Sequence, residues 1–445
     1  MLTRRDLLKS AAAAGMLGSL GSLTALQNAA RAASAGDYKA LVVIFQFGGN
    51  DGHNTLIPTD QTGYEDYAAL RQGLALPRDD LQALDGTNYG LHRKLPELAR
   101  IFNAGDAAGV MNVGMLDQPV TKQQLKNNRD LLPEGFRSHI NQQWSWQGRT
   151  PEAPTATGFA GRMSDRMGNA VRGDIPVVIS LAGSRPFTVG DSSSPLSLVP
   201  GSPLEMDCHL ETGCETRAEA AQRIQAQQQA AKLMRASGKI TDQAFELQQE
   251  VSRALDQAER QGGFDQFKSW WGLADAAKLI SVRNTLGSSR QIFFIGQGGY
   301  DSHGGQPAQH DDRLEGLDNE IGAFYDWLYD QGLEDNVTTV MISEFGRTLR
   351  ENSSNGSDHA WGSHLFSFGG AVDGGLYGTF PTLEFAGQDD LGDDPNNSVG
   401  ITIPTTGHNQ YLATVARWFG VSDADLEYIF PNLANFGTRD LGFMG

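Results

Sequence analysis

Cysteine is nearly absent from this chain: only Cys208 and Cys214 occur among 445 residues. A metal site built from these two thiols and the intervening His209 would need more ligands than the segment offers. In an oxidising compartment, we interpret the pair as a small disulfide that closes a loop.

Basic residues and long apolar runs are also scarce. Lysine and arginine number 35 against 53 aspartates and glutamates, which gives a formal net charge of −18. A field of this sign repels nucleic acid and anionic membrane surfaces, so we expect no nucleic-acid partner. It also repels an anionic substrate unless bound cations reverse the charge locally. After residue 35 no stretch approaches the roughly 20 apolar residues of a membrane span, so we expect no span.

The first 35 residues carry the features of an export signal. Arg4 and Arg5 precede a stretch rich in Ala, Gly and Leu, and the small residues Ala30 and Ala32 follow it as a possible cleavage site. This pattern is typical of a twin-arginine signal peptide, here residues 1–35. It predicts a protein that is exported already folded, to the periplasm or beyond the cell.

Residues 36–445 are expected to form a single domain. Apolar, strand-like runs alternate with amphipathic, helix-like runs, which predicts a mostly parallel sheet with helices on both faces. Residues 215–261 differ from the rest because they are rich in Ala, Gln, Glu and Arg. They predict a helical hairpin inserted into the domain. Its charged face is either solvated or a surface for a lid or a protein partner.

Possible metal ligands follow the ends of three predicted strands. These strands are Lys39–Phe47, Gln291–Gly296 and Val337–Ile342. The ligands that follow them are Asp51, Asp301, His303 and Glu344, and a later glycine-rich loop adds Asp358, His359 and His364. In open α/β sheets, ligand sites are built at the edge where the carboxyl ends of the parallel strands meet.

These carboxylates and imidazoles together suit a divalent metal, Zn²⁺ or Mn²⁺, as one ion or two. Each residue also has a simpler interpretation when it is taken alone. Asp51 could cap a helix, Glu344 could pair with Arg347 or Arg350, and Asp358 could belong to a turn. Their common placement at strand ends and in a glycine-rich loop favours the metal interpretation.

Ser138 is the predicted nucleophile. It lies between Arg137 and His139 at the predicted start of a helix, where backbone N–H groups favour an anion. A cation beside it would favour loss of the hydroxyl proton. A simple helix cap is the alternative role for Ser138. Thr55, four residues after Asp51, is the alternative nucleophile.

Four motifs carry a resemblance to a family. They are G-G-N-D-G-H-N-T around Asp51, G-Y-D-S-H-G-G-Q around Asp301, S-E-F-G-R-T around Glu344 and G-S-D-H-A-W-G-S-H around Asp358. Behind a twin-arginine signal, this set resembles an exported bacterial family of unknown function within the alkaline phosphatase/sulfatase superfamily. The resemblance covers essentially the whole mature chain. It implies a doubly wound α/β fold and a two-metal centre that transfers phosphoryl or sulfuryl groups.

The resemblance also implies roles for individual residues. Asp51 matches the first-strand aspartate that bridges the metals, and Asp301 with His303 resembles a later pair of ligands. One residue separates that pair here, whereas the superfamily usually has three. Glu344 stands at a strand end where the superfamily often has Asp-His, and the Asp-His of this chain follows fourteen residues later at Asp358.

Two functions follow as hypotheses. The first is an exported metal-dependent hydrolase that acts on a small or polymer-linked phosphoester or related ester. A formylglycine sulfatase is not expected, because neither cysteine nor Ser138 is followed by the required Pro and Arg. In this hypothesis the catalytic residues are Ser138 as the nucleophile, with His139 and Arg347 contacting the transferred group. The metal ligands are Asp51, Asp301, His303, Glu344, Asp358, His359 and His364. The second hypothesis is a non-catalytic exported protein that keeps the fold for binding or assembly, with the helical insertion as its partner surface.

Overall fold

The computed structural model describes most of the predicted domain. It covers residues 38–149, 156–168, 175–200, 247, 249–268 and 272–445. The predicted signal at 1–35, both cysteines and most of the predicted insertion lie outside the described residues. Within that insertion, residues 249–261 are helical. No helix in the described part of the chain is long and apolar enough to cross a membrane.

Strands and helices alternate along the described chain. The strands are β1 (Lys39–Gln46), β2 (Leu56–Pro58), β3 (Gln82–Ala83), β4 (Tyr89–Leu91), β5 (Ala107–Gly114), β6 (Val178–Ser180), β7 (Leu196–Ser197), β8 (Arg290–Gln297), β9 (Val337–Ser343), β10 (Ser363–Phe368), β11 (Gly375–Gly378) and β12 (Thr406–Gly407). The α-helices, in chain order, are α1 (Gln61–Arg71), α2 (Pro96–Ala104), α3 (Lys122–Asn127), α4 (His139–Trp146), α5 (Phe159–Met167), α6 (Leu273–Ser281), α7 (Gln306–Gln331), α8 (His408–Phe419) and α9 (Asp423–Ile429).

A nine-stranded sheet forms the centre of the described structure. Its order is β11-β5-β10-β9-β1-β8-β6-β7, and β12 pairs with β5. β1 lies in the middle and runs parallel to both β8 and β9. Among the described strands of this sheet, only β10 is antiparallel to its neighbours β5 and β9. The prediction of a mixed α/β fold with a mostly parallel sheet is confirmed.

Alternate residues of β1 belong to two separate hydrophobic cores. Val42 and Ile44 pack in one core with residues of α2, α6 and α7. Val43 and Phe45 pack in the other with residues of α5, α8 and α9. Burial on both faces explains why β1 is an almost continuous apolar run. Each fully buried large side chain contributes about 1.5–3 kcal/mol, so the central strands hold their ends firmly in place.

The strand register brings three strand ends together at one edge of the sheet. Gln46, the last residue of β1, pairs with Gln297 of β8 and with Ser343 of β9. The segments that follow these strands therefore leave the sheet side by side. At Gly48, φ is +116° and a Cβ would collide with the backbone nitrogen of Asp301. Only glycine allows this close approach.

Candidate metal centre

Four side chains converge where these strand ends meet. The Nε2 atoms of His303 and His359 lie 2.9 Å apart, and each lies 3.1 Å from Oδ1 of Asp301. Nε2 of His139 lies 3.4 Å from Oδ2 of the same carboxylate. The potential ligand atoms of His139, Asp301 and His359 all fall within 4.8 Å of one another. Three imidazole nitrogens thus surround one carboxylate, a donor set that suits Zn²⁺ or Mn²⁺.

Each of the three imidazoles is held from behind by a hydrogen-bond partner at Nδ1. The partners are Glu344 for His139 (2.8 Å), Asp358 for His303 (2.9 Å) and the carbonyl oxygen of Arg137 for His359 (2.9 Å). An acceptor at Nδ1 places the proton there and leaves the Nε2 lone pair free. Metal-binding histidines are oriented in this way by carboxylates and backbone carbonyls. The residues present therefore fit a divalent metal ion.

The protonation states also suit a metal ion. Burial raises the pKa of the Asp301 carboxyl, but the hydrogen bond from Arg347 and the nearby imidazoles outweigh burial and hold that pKa at about 2. Burial lowers the pKa of His359. The hydrogen bond to Glu344 raises the pKa of His139, so a proton competes with a metal at His139 more strongly than at an ordinary imidazole.

Glu344 is fully buried behind His139. Its Oε1 also accepts hydrogen bonds from the backbone N–H of Gly48 at 2.9 Å and from the Gln143 amide at 3.0 Å. Its Oε2 has no hydrogen-bond partner among the described residues. A buried carboxylate oxygen without a donor is costly, and a nearby cation would offset part of that cost.

Arg347 connects the converging segments through its hydrogen bonds. Its fully buried guanidinium donates to the Asp301 carboxylate at 2.6 Å. Its other acceptors are the carbonyl oxygens of Gly48, Gly49, Tyr300 and Ser357. These bonds join the ends of β1 and β8 to the loop that carries Asp358. The donors of Arg347 are thus directed at the protein rather than at a substrate.

The guanidinium of Arg137 has a donor without a hydrogen-bond acceptor among the described residues. Its Nε is buried and has no hydrogen-bond acceptor in the described part of the chain. The backbone of Arg137 adopts φ +64°, which is uncommon for a residue other than glycine. In this conformation its carbonyl oxygen meets His359, and its charge acts on Asp358. Arg137 therefore belongs to the rim of the centre.

Asp51 lies in a buried network beside the cluster rather than within it. Its Oδ2 forms an ion pair with Arg71 and accepts a hydrogen bond from Gln306. Gln306 in turn accepts a hydrogen bond from the hydroxyl of Ser357, the residue before Asp358. Burial raises the pKa of the Asp51 carboxyl, but Arg71 and the nearby imidazoles outweigh burial, and that pKa is lowered. The network connects the first motif to the loop of Asp358.

His364 also lies apart from the four converging side chains. It is fully buried, and its Nδ1 accepts a hydrogen bond from the backbone N–H of Asn112 at 3.2 Å. Its ring stacks on Phe380 with 4.7 Å between the ring centroids. Burial lowers the pKa of His364 well below its usual value. These contacts give His364 a packing role in the structure.

The two candidate nucleophiles differ in their surroundings. Ser138 directly precedes α4 without capping it, and its hydroxyl donates to the side-chain oxygen of Asn141 at 3.0 Å. Thr55 is buried, and its hydroxyl donates to the backbone carbonyl of Asp51 at 2.8 Å. Ser138 is the more accessible of the two, and it is the neighbour of His139 in the chain.

A family model described as a protein of unknown function, DUF1501, matches residues 38–397. The chain belongs to the DUF1501 family. The predicted membership of a family of unknown function is therefore confirmed. No curated protein matches the sequence of this DUF1501 chain.

The solved structures that are similar to the chain at low identity include three proteins. The first is the PsFucS1 sulfatase from Pseudoalteromonas sp., with 10% identity, 91% of this chain and 72% of that chain covered, and a TM-score of 0.36. The second is Ps i-CgsB, with 8% identity, 89% of this chain and 77% of that chain covered, and a TM-score of 0.34. The third is a Bacteroides thetaiotaomicron protein described with the metabolism of multiple glycosaminoglycans. It has 10% identity, 87% of this chain and 74% of that chain covered, and a TM-score of 0.35. Similarity at this level says nothing about the reaction or the substrate of this chain.

Reasoning from the sequence missed three side chains around the centre. Gln306 ends the G-Y-D-S-H-G-G-Q motif, and its position close to the predicted ligands Asp301 and His303 could have indicated that it lies near the centre. Arg137 adjoins Ser138 in the sequence. Nothing in the sequence distinguishes its guanidinium, whose Nε has no acceptor among the described residues, from that of Arg347, which donates to protein oxygens. Arg71 lies on α1, and no motif marks it as the partner of Asp51.

Proposed function

We propose that this DUF1501 protein is an exported, metal-dependent hydrolase that acts on a phosphoester or related ester of a small molecule or a polymer. The observation that carries the proposal is the convergence of three oriented imidazoles on Asp301. When bound, one or two Zn²⁺ or Mn²⁺ ions supply positive charge that stabilises the attacking and leaving oxygen atoms of such an ester.

The proposal gives the residues of the centre distinct roles. His139, Asp301, His303 and His359 would hold the ion through their converging atoms. Asp358 and Glu344 orient two of these imidazoles, as outer carboxylates do in metal sites. The predicted ligands Asp51 and His364 support the segments that carry the ligands. The proposal also includes export by the twin-arginine pathway, a doubly wound sheet order and a helical insertion at 215–261 as a surface for a protein partner.

Ser138 is proposed as the nucleophile. Its hydroxyl is oriented by Asn141, and its oxygen keeps lone pairs for attack because it does not cap α4. Thr55 is less suited because it is buried and held by the backbone of Asp51. In the attack, the Ser138 hydroxyl would lose its proton to solvent water and a bond would form from its Oγ to the phosphorus or sulfur, while the bond to the leaving oxygen breaks and that oxygen takes a proton from solvent. Water would then release the transferred group.

Arg137 is proposed to bind the oxygen atoms of the transferred group, a role that the sequence had suggested for Arg347. A guanidinium offers two parallel N–H donors that match a tetrahedral oxyanion. Arg347 is fully buried with its donors directed at protein oxygens. The Nε of Arg137 has no acceptor among the described residues, so this guanidinium is the one we assign to the contact.

The proposed activity is tested with mature protein, residues 36–445, loaded with Zn²⁺ or Mn²⁺ and given a panel of chromogenic phosphoesters and sulfoesters. We expect turnover of at least one ester class, and we expect Ser138→Ala to remove it without changing metal content. Ser422→Ala is the matched control, since Ser422 also precedes a helix without capping it and its hydroxyl donates to a side chain three residues on. Retained turnover in Ser138→Ala would remove Ser138 from the mechanism and move the search to Thr55.

One observation favours the non-catalytic alternative. Arg347 already lies 2.6 Å from the Asp301 carboxylate and neutralises its charge. A centre closed by this ion pair could serve as a rigid binding surface without a metal. Absence of bound metal together with absence of turnover across the panel would support this second function.

A further inference from the structure

A pocket of about 380 Å³ opens at the same edge of the sheet as the candidate metal centre. Its walls include Phe47, Ala182, Arg185, Gly296 and Gly298. These residues lie at or just beyond the carboxyl ends of β1, β6 and β8. Pockets in this position bind ligands in open α/β folds.

The pocket and the metal centre share a short piece of backbone. The carbonyl oxygen of Phe47 accepts a hydrogen bond from the backbone N–H of Tyr300 at 3.2 Å. Tyr300 directly precedes Asp301, and Gly298 lies two residues before Tyr300. A ligand group in the pocket would therefore lie next to an ester group held at Asp301.

Arg185 gives the pocket a positive charge that has no ion-pair partner among the described residues. Its Nε donates to the carbonyl oxygen of Ala182 at 2.9 Å, which fixes the guanidinium at the wall. The guanidinium lies 4.7 Å from the centre of the Phe47 ring. Neither Nη atom has an acceptor or an ion-pair partner among the described residues. Two oriented NH₂ groups, with four N–H donors, thus remain for a ligand.

The floor of the pocket leaves room for a ligand. At Gly298, an added Cβ would meet no atom within 4 Å, so this position faces open space. At Gly296, a Cβ would come 2.9 Å from the ring of Phe47, so glycine there allows the ring to lie against the strand end. The ring and the guanidinium therefore form part of one wall, and the backbone at Gly298 leaves open space for a ligand.

We propose that this pocket binds the organic part of the substrate and that Arg185 pairs with an anionic group on it. The substrate class is then an ester whose leaving group carries a second negative charge, as a carboxylate, sulfate or phosphate. This inference rests on the proposed function. The net charge of −18 repels anions from the protein as a whole, so an anionic leaving group needs a local cation such as Arg185.

The experiment compares two matched esters, 4-carboxyphenyl phosphate and phenyl phosphate, with metal-loaded wild type, Arg185→Gln and Arg185→Lys. We expect wild type to favour the carboxylated ester by roughly tenfold in kcat/KM, mainly through KM, since a charge-assisted hydrogen bond is at stake. Arg185→Gln should lose this preference, and Arg185→Lys should recover part of it. Arg78→Gln, which removes an exposed arginine that is not among the residues lining the pocket, should keep the wild-type preference.

A binding measurement separates this inference from the proposed activity. The affinities of 4-hydroxybenzoate and phenol are measured by calorimetry on the same proteins. We expect 4-hydroxybenzoate to bind wild type more tightly than phenol does, and Arg185→Gln to remove the difference. If neither ester is hydrolysed but this difference depends on Arg185, the proposed activity fails and the pocket assignment stands. Equal affinities in wild type, or a preference unchanged in Arg185→Gln, would overturn the assignment.

Discussion

The Nε2 atoms of His303 and His359 lie 2.9 Å apart, and both lie 3.1 Å from the same oxygen of Asp301. Two imidazoles whose Nδ1 atoms are hydrogen-bonded to acceptors present lone pairs at Nε2, and those lone pairs repel each other. A cation between them and the carboxylate turns this repulsion into coordination. This relationship is the basis of the metal assignment.

Glu344→Gln should weaken metal binding without unfolding the protein. Glu344 holds His139 through a 2.8 Å hydrogen bond and raises the pKa of that imidazole. A neutral amide orients the ring less strongly and makes it a poorer donor. We expect metal affinity to fall about tenfold to a hundredfold. A titration against a competing chelator measures this change.

Glu351→Gln is the matched control for this prediction. In the described structure Glu351 forms no hydrogen bond with the three imidazoles, and it accepts a hydrogen bond from the backbone N–H of Gly73 at 2.9 Å. It should keep wild-type metal affinity. Equal affinity in Glu344→Gln and wild type would show that His139 is not a ligand that depends on Glu344.

Asp51→Asn should cost stability rather than metal binding. The change removes the charge partner of Arg71, and both side chains are almost fully buried. Leaving a buried arginine unpaired costs about 3–5 kcal/mol of the free energy of unfolding. Urea unfolding with and without metal measures this loss. Full stability combined with lost metal binding would instead make Asp51 a ligand, as the family resemblance had implied.

His408→Leu should make the protein less sensitive to acid. His408 is buried, neither ring nitrogen has a hydrogen-bond partner among the described residues, and burial lowers its pKa from 6.5 to about 3. The unfolded chain therefore binds a proton at this histidine before the folded chain does. Stability present above pH 6.5 is lost as the pH falls from 6.5 towards about 3.

The free energy of unfolding in urea, measured for wild type and His408→Leu near neutral pH and near pH 5, tests this prediction. The loss between the two conditions should be smaller in the variant. An identical loss in both proteins would mean that His408 is protonated in the folded state or contributes nothing to acid unfolding.

The mostly parallel sheet could be predicted because its central strands are apolar runs that end in glycine-rich turns. Helix starts were harder to place. The amphipathic pattern of Leu91–Phe102 predicts a helix from Leu91, but the helix α2 begins at Pro96, after a strand over Tyr89–Leu91. Pro96 suits the first position of a helix because it lacks a backbone N–H, which sets this start.

The centre could be predicted only in part. Asp301 and the Asp358 loop come together as expected from their placement after strands. Asp51 is turned away because Arg71, twenty residues later, binds its carboxylate. Arg347 is enclosed by carbonyl oxygens from segments distant in the chain. Such partners follow from tertiary packing, which a single sequence does not display.

The most direct test is calorimetric titration of chelator-treated protein comprising residues 36–445 with Zn²⁺ and with Mn²⁺. The account predicts saturable binding of at least one of these ions to wild type, loss of that binding in Asp301→Asn, and normal binding in Asp326→Asn, an exposed aspartate that pairs with Arg100. Absence of binding to wild type, or equal binding by Asp301→Asn, would contradict the account.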